Sequence, residues 1–93
     1  MKSATLIKSN SESKQLIPAN GKYFTLEEMQ GFVDGLIEIM YLKDGSLMIV
    51  NENGLNTNLP INDKATDIRN DNYGKSIYPI VGNVLVTPKA FVR

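Results

Sequence analysis

The side chains able to do chemistry in this chain are few, and their types already narrow its function. No histidine and no cysteine occurs among its 93 residues. A Ser-His-Asp or Cys-His arrangement therefore cannot be built, nor can histidine acid–base catalysis near neutral pH. Zinc, iron–sulfur and copper sites draw mainly on the same two side chains. No metal site and no cofactor is expected. Thiol redox chemistry and disulfides are excluded. Catalysis would have to rest on Asp, Glu, Lys, Tyr, Ser, Thr or a hard cation.

Three groups of residues test that remainder. Asp63, Asp67 and Asp71 stand four apart and would share a helix face, where they could attract a hard cation. A solvated helix face is the simpler reading. The calcium-loop pattern also fails, because Arg69 holds the third position counted from Asp67 and Tyr78 stands where the bidentate acid belongs. Glu38 and Glu52 are the acids of the central strands. Glu38 lies among apolar neighbours in the sequence, where burial would make it a candidate acid. An edge position or a lysine partner is the plainer account, and no second group is placed to orient against it. The glycines build neither the Rossmann nor the Walker spacing. No catalytic residue and no metal ligand is assigned, and the chain is not expected to be an enzyme.

Binding chemistry is better represented. Asn51, Asn53, Asn56, Asn58 and Asn62 form the densest polar cluster. Their amides both donate and accept, so such a loop can read a small polar ligand. Asparagine also suits turns and helix caps, which is the better reading for Asn53 and Asn62. Asn51, at a strand end, could instead hold the loop. Tyr73 and Tyr78 lie in a polar stretch and combine apolar area with a polar tip, as interface residues do. The candidate binding residues are Asn51, Glu52, Asn56, Asn58, Tyr73 and Tyr78.

Charge and length bound the partners. Ten basic and ten acidic residues cancel, and the lysines and arginines are spread along the chain. A duplex-binding surface wants a basic patch, so nucleic acid is not the expected partner. The aromatics are dispersed rather than alternating with basic residues, which also removes a stacking platform for single strands. The segment MKSATLIKSNSESK lacks the apolar run of a signal peptide, and no window approaches a membrane span. The expected location is cytoplasmic, with no membrane association.

The elements that must position these residues can be read from pattern. Residues 1–93 form a single domain, with no linker or repeat. Strands are expected over 4–8 and 14–17, with a turn at 18–21. Thr25-Leu26-Glu27-Glu28 is a capping box, and Phe24 with Met29 can form a hydrophobic staple. Leu26, Met29, Val33 and Leu36 follow helical spacing, and Gly35 is placed to end the helix in a left-handed conformation. Strands over 36–42 and 47–51 flank the hairpin signal Asp44-Gly45. A two-residue turn would pair Leu42 with Leu47, and a three-residue loop would shift the register by one. Both faces of this hairpin are largely apolar, so the sheet is covered on both sides or meets another chain. Phe24, Phe32 and Tyr41 are expected in the core. Leu55 and Leu59 should tack the 51–60 loop down, and Asn62 should cap a short helix with Ala65 and Ile68 inward. Residues 69–75 read as a polar, mobile connection, and 81–87 as the last strand. The fold class is α+β, with a mostly antiparallel sheet of four or five strands, one well-capped helix and one short helix.

The stretches Asn51-Glu52-Asn53-Gly54, Leu59-Pro60-Ile61-Asn62 with Ala65-Thr66, and Gly82-Asn83-Val84-Leu85-Val86 fall in an order that resembles a small-domain family of unknown function. That family occurs in phage, plasmid and other mobile-element proteins of bacteria. The resemblance runs from about Gly21 to Val86. It implies a bacterial or phage accessory protein and transfers no catalytic residue. The expected function is a non-enzymatic protein-binding module with a protein partner. Its surface would be the 51–62 loop with the exposed face of the hairpin. The alternative is an oligomer of this chain that sequesters a small, nucleotide-like polar ligand.

Overall fold

The structure, a computed structural model, describes residues 2–56, 58–76 and 78–93, with the side chain of Leu55 outside the description. The expected role of Leu55 therefore lies outside the described residues. Five strands form one antiparallel sheet: β1 (Ala4–Ile7), β2 (Ser13–Leu16), β3 (Ile37–Tyr41), β4 (Leu47–Asn51) and β5 (Val84–Thr87). Their spatial order is β2-β1-β5-β4-β3. The last strand thus slots between the first and the fourth, pairing Leu85 with both Leu6 and Ile49. Helices α1 (Leu26–Val33) and α2 (Asp63–Tyr73) lie on opposite faces.

Strand alternation sorts the core into two layers. Leu6, Leu47, Ile49 and Leu85 point toward α1, where they meet Met29, Val33 and Phe24. Ile7, Met48, Val50 and Val84 point the other way, against Ala65 and Ile68 of α2. β4 is buried along its whole length because it is covered on both sides. The two-sided apolar hairpin is thereby explained within one chain. The hairpin has no broad exposed face, since only Glu38 and Tyr41 of β3 are exposed. What it leaves open is the outer edge of β3.

The capping box forms as its sequence requires. Glu28 donates its N–H to Thr25 Oγ1 at 3.1 Å, and Thr25 N–H donates to Glu28 Oε1 at 2.9 Å. Phe24 and Met29 are both buried. The far end differs from expectation. Asp34, not Gly35, takes the left-handed conformation, at φ 61° and ψ 38°. A short acidic side chain tolerates that region. Gly35 is required for a different reason: a Cβ there would lie 2.7 Å from Asn51 Nδ2. Leu26 and Leu36 are exposed, so the inward stripe of α1 is narrower than the spacing implied.

The hairpin uses the three-residue loop. Tyr41 faces Leu47, Leu42 N–H donates to Ser46 O at 3.0 Å, and Gly45 sits at φ 89°. That positive φ is where glycine is needed. Tyr41 itself is 64% exposed rather than core. Its side chain shares the α1 face with Ile39 but lies beyond the reach of that helix.

The largest departure is α2, which runs through Tyr73 where a mobile connection was expected. Its second half has little apolar pattern. Polar anchors hold it instead: Lys43 N–H donates to Asn72 Oδ1 at 2.7 Å, and Tyr73 Oη donates to the Tyr41 carbonyl. Such tertiary contacts override weak local preference.

Candidate functional site

One concave feature gathers most of the candidate residues. It is a cleft of about 270 Å³ between the end of β4, the loop after it and the approach to β5. Asn51, Glu52, Asn56 and Tyr78 line it, together with Glu38 and Arg69. Asn58 and Tyr73 are not part of it. Asn58 is exposed on the loop, and Tyr73 sits at the carboxyl end of α2 against β3. The volume lies just below the usual range for small-molecule sites, so it suits a single side chain, base or similar group.

Each lining residue is positioned by a local device. Asn51 is buried, and its amide is spent on structure. Nδ2 donates to Val33 O at 2.9 Å and to Asp34 O at 3.3 Å, and Oδ1 accepts from Asn53 N–H at 2.8 Å. These bonds satisfy carbonyls that the end of α1 leaves open and fix the loop to it. Asn51 thus forms the floor of the cleft. Glu52 is held through its backbone, N–H to Leu36 O at 2.8 Å, and its side chain is exposed. Asn56 closes a helical turn, N–H to Asn53 O at 2.9 Å, and also presents its amide outward. Glu38 is exposed on β3, so the burial that the acid reading required is absent.

Arg69 is the residue that the sequence did not single out. It is 9% exposed. Nε donates to Asn70 Oδ1 at 2.9 Å, and Nη2 donates to the Tyr78 carbonyl. Both partners are neutral. No ion pair joins Arg69 to Glu38 or Glu52. Its Nη1 has no hydrogen-bond partner among the described residues and is not sealed from solvent. Burying a cation with neutral partners costs several kcal/mol unless something else compensates. The signal for Arg69 was available: it follows Ala65 by four, so a continuing helix puts it on the inner face.

The lining of the cleft thus combines a guanidinium, two exposed carboxylates and an exposed asparagine amide. A group that both accepts and donates hydrogen bonds matches that chemistry. The triple of Asp63, Asp67 and Asp71 does fall on α2, and all three are exposed. Among the described residues no cluster of acidic side chains is arranged to hold a metal ion. No helix among them is long and apolar enough to cross a membrane.

Five antiparallel strands with a helix on each face and a polar cleft at one corner define a small three-layer α+β domain. The chain belongs to the family described as Domain of unknown function (DUF3846), which it matches over residues 1–90. No curated protein and no solved structure matches it.

Proposed function

We propose that this chain is a non-enzymatic binding module whose site is the Arg69 cleft. A partner protein would insert a neutral polar group, such as a carboxamide, that accepts from Arg69 and donates to Glu38 and Glu52. The observation that carries this reading is a nearly buried guanidinium in the lining of the cleft, whose Nη1 has no hydrogen-bond partner among the described residues. The non-enzymatic half is supported by the two carboxylates, which are exposed and accept no hydrogen bond among the described residues. The resemblance to phage and mobile-element proteins supports a bacterial, cytoplasmic setting.

A second reading shares the chemistry and differs in the source. Tyr78 is 56% exposed beside Arg69, and its ring could stack on a base. A guanine edge places acceptors toward an arginine and donors toward carboxylates. That supports sequestration of a free nucleotide-like ligand. Native mass spectrometry of the protein, purified gently from bacterial cells, separates the two. A captured protein supports the first and a captured small mass supports the second. In either case the double variant Glu52→Ala, Asn56→Ala should lose it, because both side chains face the cleft and neither supports the fold. Undiminished capture by that variant would place binding elsewhere and defeat both readings.

A further inference from the structure

The two edges of the sheet are unlike. β2 presents Ser13, Lys14 and Gln15, all exposed, and a lysine on an edge discourages pairing. β3, with the sequence Ile-Glu-Ile-Met-Tyr, carries no lysine, proline or bulge.

The direction of its backbone groups follows from two bonds. Glu52 N–H donates to Leu36 O, and Leu42 N–H donates to Ser46 O. With the register that pairs Glu38 with Val50 and Met40 with Met48, the even-numbered residues of β3 bond inward to β4. The N–H and C=O groups of Ile37 and Ile39, and the N–H of Tyr41, therefore point outward. None has a partner among the described residues. The Tyr41 carbonyl alone is engaged, by the Tyr73 hydroxyl. Beside this edge, on the α1 face, lies a largely apolar hollow of about 390 Å³ lined by Phe24, Leu26, Met29, Ile37, Ile39 and Val92, among others.

We propose that this edge pairs with the same edge of a second copy of the chain, antiparallel and centred on Ile39. The occupant and register follow from the strand itself. Centring on Ile39 overlaps all five residues and sets Ile37 against the partner's Tyr41. Two ladder bonds then form at each of three residue pairs, 37 with 41, 39 with 39, and 41 with 37. Centring on Glu38 would bring two carboxylates face to face, which is destabilising. The chosen register sets Glu38 against Met40 instead. It also puts the partner's Tyr41 on the α1 face, next to Ile37 at the mouth of the apolar hollow. That gives a use to an aromatic side chain that is otherwise 64% exposed. The Tyr73 hydroxyl shares or yields the Tyr41 carbonyl, which has two lone pairs. This inference does not depend on the Arg69 cleft.

The test uses the full chain in two measurements. Sedimentation equilibrium from about 10 µM to 1 mM spans the affinity expected of a small interface. Amide-resolved hydrogen exchange by NMR is then run at both ends of that range. A monomer–dimer equilibrium is expected, with slowing of exchange at Ile37, Ile39 and Tyr41 as concentration rises. Glu38 and Met40 are already protected, and the β2 amides should not change. Tyr41→Lys should weaken the dimer at least tenfold while leaving the fold intact, since the side chain is exposed. A monomer throughout, or a dimer that leaves those three amides unprotected, overturns the proposal. A folded Tyr41→Lys protein with undiminished self-association does so too.

Discussion

Asn62 offers the sharpest test of how this fold is held. It is 1% exposed, and its side chain serves three parts of the chain. Oδ1 accepts from Ala65 N–H at 3.1 Å, capping α2. Nδ2 donates to Ile7 O at 3.0 Å on β1 and to Gly82 O at 2.9 Å before β5. Asn62→Ala removes the cap, worth about 1 kcal/mol, and two buried hydrogen bonds of about 1 kcal/mol each. The vacated space adds to this, so a loss of about 3 to 4 kcal/mol is expected. Asn62→Asp distinguishes the causes. Aspartate caps a helix as well as asparagine does, so a residue that only capped would tolerate it. Here its second oxygen would face two carbonyl oxygens in a buried site. Asn62→Asp should therefore cost at least as much as Asn62→Ala at neutral pH. Urea unfolding followed by circular dichroism measures both. An aspartate variant within about 1 kcal/mol of wild type would refute the three-way role and reduce Asn62 to a cap.

Three further outcomes follow from named residues. Gly31→Ala should stabilise the protein by about 0.5–1 kcal/mol in urea unfolding, because Gly31 is mid-helix with open space at its Cβ. Gly35→Ala should destabilise it by about 1–3 kcal/mol in the same assay, since the added Cβ presses on an anchored Asn51 amide. The Thr25 backbone N–H bonded to Glu28 holds its carboxyl below the ordinary glutamate range, with a smaller lowering from the Thr25 hydroxyl. The unfolded chain then binds the proton more readily. The contribution of Glu28 is present above about pH 4.3 and is lost as pH falls toward the lowered folded value. Glu28→Gln should flatten that limb of a stability–pH curve, and an unchanged slope would count against the capping box.

Local chemistry was the legible part of this sequence. Thr25 through Glu28 and Asn62 announced their caps because those motifs depend on nearest neighbours. The Asp44-Gly45 hairpin did so for the same reason, although only pairing could choose the loop length. The apolar alternation of β3 and β4 required two covers and could not say that both come from one chain. That is a matter of topology, fixed by β5 entering beside β4 and by α2 crossing the second face. Residues 69–73 looked like a connection because their helix is held by polar contacts to Lys43 and Tyr41, distant in sequence, and to Tyr78 beyond the helix end. Arg69 was overlooked with them. The loop that yielded Asn51, Glu52 and Asn56 did converge on one cleft with Tyr78. Asn58 and Tyr73 fell outside it because neighbours in sequence diverge once a turn intervenes.

The Arg69 cleft is the central functional claim, and NMR titration of the ¹⁵N-labelled protein tests it directly. The probes are guanosine monophosphate and N-acetylglutamine amide, each with a donor edge beside an acceptor. The account predicts saturable shifts at Arg69 Nε and at the amides of Glu52, Asn53 and Asn56 with at least one probe. These shifts should be lost in Glu52→Ala, Asn56→Ala. No saturable shift with either probe, or equal shifts in the double variant, would contradict it.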